Sequence, residues 1–138
     1  MHVGSCLAGI AFLKGLGLVH AISHMVGAEF NTHHGNTNAI LLPVVLRFNL
    51  PGMDEKVRRM AEAMEISDHS VAGFIAAIEV ILDEIRIPKS LSEIGVPMDC
   101  AERIAVKALK DSAAKTNPRS ASLGEVRELI EIAIKKAR

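Results

Sequence analysis

An all-α fold of about six to eight helices in one domain is predicted by three features of the sequence. Apolar residues recur at three- and four-residue spacings through most of the chain. No run alternates apolar with polar residues at the period of two that a half-buried strand requires. No Asn-Gly or Asp-Gly dipeptide marks a tight hairpin. With 138 residues and 49 % apolar side chains, the chain has the length and the material for one hydrophobic core.

The elements follow in order. Residues 3–13 are apolar on every side, which predicts a helix buried all round. Gly15 and Gly17 bracket a break, and Leu18 to Ala28 resume a helix carrying His20 and His24. Residues 31–36 (NTHHGN) have the composition of a turn. Thr37 opens another apolar stretch in which Pro43 predicts a kink or two short helices. After the loop at Pro51-Gly52 the helices become amphipathic. Val57, Met60, Ala61 and Met64 form one stripe, and Val71, Phe74, Ile75, Ile78, Ile81, Leu82 and Ile85 form the next. Ser67 and Asp68 offer capping oxygens before that second stripe, and Pro88 stops it. Ala101, Ile104, Ala105, Ala108 and Leu109 mark a further helix. Ser122 and Glu125 make a capping box for the last one, with its stripe at Val126, Leu129, Ile130, Ala133 and Ile134.

Charge is unevenly placed. Sixteen basic and sixteen acidic residues cancel, yet residues 1–46 hold only Lys14 and Glu29. The front third therefore reads as a central helical core. A membrane span is disfavoured by Lys14 and by repeated glycines within the apolar run. Zero net charge, no Trp and no Tyr leave neither the electrostatic grip nor the stacking platforms of a nucleic-acid binder. Cys6 and Cys100 are too isolated for a disulfide framework, so a reducing, cytoplasmic setting is expected. Cys6 is expected in the core, and Cys100, at a helix start, is a candidate for modest reactivity.

Four of the six histidines, His20, His24, His33 and His34, lie within fifteen residues. His20 and His24 are four apart and share one helix face, a spacing suited to metal ligation or to catalysis. Alanine stands at position 21, where a zincin has its glutamate base, so a metalloprotease is disfavoured. From spacing alone a metal or catalytic site competes with two buried, hydrogen-bonded histidines and two exposed ones. Glu29 is the one acid close by in sequence.

The series GLVHAISHMVGA (17–28), His34-Gly35 and NAILLP (38–43) closely resembles the iron-containing (group III) alcohol dehydrogenases. The likeness extends through residues 5–12, Arg47-Phe48-Asn49, residues 88–96 and Asn117-Pro118-Arg119. The resemblance implies a helical metal-binding domain over residues 1–138, with the N-terminal nucleotide-binding domain absent from this chain. It implies that His20 and His34 are metal ligands, for Fe2+ or Zn2+, and that His24 is a catalytic group beside substrate and nicotinamide. An aspartate and a further histidine would complete the metal sphere from earlier in a full-length protein. His33 and Met25 depart from the family's usual prolines and leave substrate preference open. The implied partners are a small alcohol or aldehyde, NAD or NADP once a nucleotide-binding domain is supplied in cis or in trans, and a second copy in a homo-oligomer. A non-catalytic scaffold or dimerisation module is the competing expectation.

Overall fold

The computed structural model describes residues 2–137. Among them are seven α-helices, three short 3-10 turns and no strand. The helices are α1 (His2–Phe12), α2 (Gly17–Phe30), α3 (His34–Asn49), α4 (Asp54–Ala63), α5 (Val71–Glu84), α6 (Ala101–Ala108) and α7 (Leu123–Lys136).

Helices α2 and α3 form a hairpin at the centre, backed by α6 and α7. Asn31 ends α2 in the left-handed region, φ 52°, a conformation that asparagine tolerates, and its N–H bonds Gly27 O at 2.9 Å. His33 then caps α3, its Nδ1 accepting from Asn36 N–H. The turn therefore spans three residues rather than six, because His34 already has helical backbone. Pro43 lies inside α3, which continues as one helix to Asn49, so the two-helix alternative does not hold. The capping box at Ser122 and Glu125 forms as its spacing requires. Helix α5 is capped by Ser70, and Asp68 instead accepts from the Ser70 N–H.

The main core joins α2, α3, α6 and α7 through side chains such as Ile22, Leu41, Ile104 and Ile130, with Leu91 and Val96 from the α5–α6 connector. A smaller cluster packs α4 and α5 on Leu50 through Val57, Ala61, Phe74 and Ile75. Met60 and Met64, expected on the buried stripe of α4, are exposed, as are Ile81 and Ile85, expected on the stripe of α5. Full burial of a large aliphatic side chain contributes about 1.5–3 kcal/mol.

The front third corrects the expectation of a uniform core. Helices α2 and α3 are central, but α1 has no buried residue. Val3, Leu7 and Ile10 are 75 %, 61 % and 59 % exposed, and Cys6 is exposed with them. An apolar sequence is a requirement for a covering surface, and within this chain α2 and α3 present none to α1. No single described helix is long and apolar enough to cross a membrane, and α1 and α2, long enough together, meet at 90°. Cys100 is buried, and loss of hydration pushes its thiol pKa up, which removes the expected reactivity.

Ile104→Ala should cost about 2–5 kcal/mol in urea denaturation, because it leaves a cavity in the main core. Leu7→Ala on α1 should stay within about 0.5 kcal/mol. Equal costs at the two positions would show that α1 is packed.

Candidate metal and catalytic site

Three of the four clustered histidines meet. The rings of His20, His24 and His34 form a triangle with centroid separations of 5.8 Å (His20–His24), 5.3 Å (His20–His34) and 5.7 Å (His24–His34). His20 and His24 come from successive turns of α2, and His34 from the first turn of α3. His33, one residue earlier, is spent on capping and stays exposed. Phe12 closes on His20 edge-to-face at 6.1 Å.

Asn38, one turn after His34, lies between two of the rings. Its Nδ2 is 3.3 Å from His20 Nε2 and 3.0 Å from His34 Nε2. An amide nitrogen carries two hydrogens and accepts none, so each Nε2 accepts one of them. Both imidazoles therefore hold their proton on Nδ1 and aim an Nε2 lone pair at the same point. Asn38 Oδ1 is buried with no hydrogen-bond partner.

His24 is set differently. Its Nδ1 is 3.1 Å from Asp111 Oδ2, and a carboxylate can only accept. The His24 Nδ1–H thus donates to Asp111, and Nε2 is left as the basic nitrogen. Asp111 Oδ1 accepts the Ala113 N–H at 2.7 Å, which fixes the carboxylate. Burial works to raise the Asp111 pKa, but the Ala113 N–H and His24 outweigh it and hold the carboxyl below its usual range. The His24 side chain is 37 % exposed, so the cluster opens to solvent on this side.

His20 is held toward its neutral form, first by burial and then by the two neighbouring imidazoles, all of which lower its pKa. A neutral imidazole is the form that binds a metal. The donor set here is two imidazoles, which fits half of a four-coordinate sphere. Among the described residues no group of three or more His, Cys, Asp or Glu is assembled to hold a metal.

The structure thus brings together His20, His24 and His34 and adds two residues that sequence reasoning missed. Asn38 stands four after His34, a same-face spacing that was legible in the sequence. Asp111, 87 residues from His24, left no local signal. Glu29, the acid nearest in sequence, turns away to Arg103 and Lys107 of α6.

His20 takes up protons more readily when unfolded than when folded, so its contribution to stability is complete above the ordinary imidazole pKa. That contribution is lost as pH falls below about 6.5. Unfolding free energy measured by urea should therefore decline from about pH 7 to pH 5, and His20→Gln should flatten that decline. An unchanged slope in the variant would remove His20 as the cause.

The sequence pattern of the Fe-containing alcohol dehydrogenase family, C-terminal, matches residues 1–134. The 1-propanol dehydrogenase of Salmonella typhimurium is 39 % identical over 145 residues, covering 95 % of this chain and 39 % of its own length. Lactaldehyde reductase of Escherichia coli is 36 % identical over 140 residues, covering 96 % and 37 %. Among solved structures, the alcohol dehydrogenase from Oenococcus oeni superposes with a TM-score of 0.85 at 30 % identity, over 92 % of this chain and 35 % of that one. A 1,3-propanediol oxidoreductase gives 0.81 at 37 % identity, over 86 % and 33 %. The chain spans little more than a third of the length of the curated relatives it matches. The match in pattern, in identity and in helical architecture places the chain in the Fe-containing alcohol dehydrogenases, a family of alcohol oxidoreductases, as its C-terminal helical domain.

Proposed function

We propose that this chain is the metal-binding helical part of a cytoplasmic, NAD(P)-dependent alcohol dehydrogenase that interconverts small alcohols and aldehydes, and that it is inactive as an isolated chain. The observation that carries this reading is the convergence of His20 Nε2 and His34 Nε2 on one point. When bound, Fe2+ or Zn2+ supplies Lewis-acid polarisation of the alcohol oxygen, and NAD or NADP on a nucleotide-binding domain in cis or in trans carries the hydride.

This chain's residues have separable tasks. His20 and His34 offer lone pairs already directed at one point, which lowers the cost of ordering ligands. Asn38 occupies that point through two neutral hydrogen bonds, which a cation displaces. His24, with its Nδ1–H tied to Asp111, presents Nε2 to take up or release the proton of the alcohol. Its exposed edge lets that proton pass to water. Among the described residues there is no strand, and so no strand-turn-helix cradle for a dinucleotide.

Zn(II) titrated by calorimetry, or Fe(II) titrated without oxygen, should bind the parent chain at one site. His20→Ala and His34→Ala should each weaken binding by more than about tenfold, with His24→Ala close to parent. Equal binding by parent, His20→Ala and His34→Ala would remove these residues as ligands.

The bare α1 favours the second reading, a dimerisation module retained without catalysis. On that reading the parent sediments as a dimer, Leu7→Glu with Ile10→Glu gives a monomer, and no variant binds metal. A monomeric parent would exclude it.

A further inference from the structure

We infer that Asn117 is a positioning residue: its side-chain amide locks the start of α2 to the end of α3 and so sets the register in which His20 and His34 converge. The inference rests on the proposed two-histidine metal site for its functional meaning.

Helix α2 has no cap of its own. Leu16 stands at the capping position and makes no side-chain hydrogen bond there. Oxygens from a hundred residues later do the work. Thr116 Oγ1 accepts the Leu16 and Gly17 N–H groups at 3.1 and 3.3 Å, and Asn117 Oδ1 accepts the Leu18 N–H at 3.1 Å. Gly15 and Gly17, at φ +104° and +67°, make room. A Cβ on Gly15 would lie 2.3 Å from Thr116 Cβ, and one on Gly17 would lie 2.9 Å from Asn117 Oδ1.

The same Asn117 side chain also grips α3. Asn49, the last residue of that helix, donates Nδ2 to Asn117 Oδ1 at 3.0 Å, and Asn117 Nδ2 donates to Asn49 Oδ1 at 2.8 Å. A third bond, to Arg119 O at 2.6 Å, holds the amide's rotation. Asn49 is buried at 9 % exposure, so both of its amide atoms need partners inside the protein. The α2–α3 hairpin is therefore closed twice, covalently by residues 31–33 and at its open end by Asn117. His20 lies two residues beyond Leu18. A slip of α2 along α3 separates its Nε2 from that of His34, and the Asn117 clamp opposes that slip.

The test uses the full 138-residue chain and Zn(II) alone. Asn117→Ala should remain folded by circular dichroism and bind Zn(II) about tenfold more weakly. Asn49→Ala, which keeps the cap on Leu18 and removes the two bonds between Asn117 and α3, should weaken binding in the same direction and serves if Asn117→Ala does not fold. Val126→Ala, a change in the main core that removes none of the Asn117 hydrogen bonds, should lower stability and leave Zn(II) affinity at the parental value. Parental affinity in the clamp variants, or an equal loss in Val126→Ala, overturns the inference. Nitrogen shifts of the His20 and His34 rings give a readout without metal. They should move in Asn117→Ala and Asn49→Ala and stay fixed in Val126→Ala. If the parent binds no Zn(II), the metal reading alone fails. Ring shifts that do not move in the clamp variants overturn the register role in either case.

Discussion

The backbone N–H groups at the start of α2 are the constraint on which the arrangement depends. Gly17 and Leu18 are buried, so their amide hydrogens have no access to water. Each donor left unpaired there costs about 1–3 kcal/mol. Leucine at position 16 has nothing to offer them, and the oxygens must come from a distant segment. The connector between α6 and α7 supplies them, which requires those two helices to pack behind the α2–α3 hairpin. The apolar stripes of α6 and α7 face the hairpin in that arrangement, so polar satisfaction and hydrophobic burial select the same topology.

Within the cluster, hydrogen-bond partners set three similar side chains in different surroundings. Rings 5–6 Å apart cannot all carry charge without mutual repulsion, and burial together with the two neighbouring imidazoles pushes His20 toward its neutral form. His20 and His34 face an amide donor, and His24 faces a carboxylate. The amide donor engages the Nε2 lone pairs of His20 and His34, and the carboxylate acceptor fixes the same Nδ1–H tautomer in His24 from the other side of the ring. The difference among the three lies in their partners and not in the imidazoles themselves. Glu29 takes no part in the cluster, because two cations on α6 hold it outside.

The sequence exposed what depends on neighbours along the chain. The capping box at Ser122, the stripes of α6 and α7, and the shared face of His20 and His24 all follow from spacings of three and four. His34 joins them because the intervening turn is short. The partners Asp111 and Asn117 were illegible as such, since each acts across 68 to 99 residues and a lone polar residue in a loop has no periodicity. Helix α1 failed for another reason. Hydrophobicity records that a surface must be covered, and it does not record whether the cover belongs to the same chain.

The bare α1 and the open histidine cluster are two views of one feature. The last residue of α1, Phe12, stands edge-on to His20, so α1 ends at the rim of the site. A surface laid over Leu7 and Ile10 as far as Phe12 would exclude water from that edge of the cluster. Removing water there strengthens every interaction of the imidazoles, since charges interact more strongly at lower effective dielectric. It also deepens the burial that already holds His20 neutral. Covering the apolar helix and keeping His20 neutral would thus draw on the same loss of solvent, which links the exposed α1 to the histidine cluster at its end.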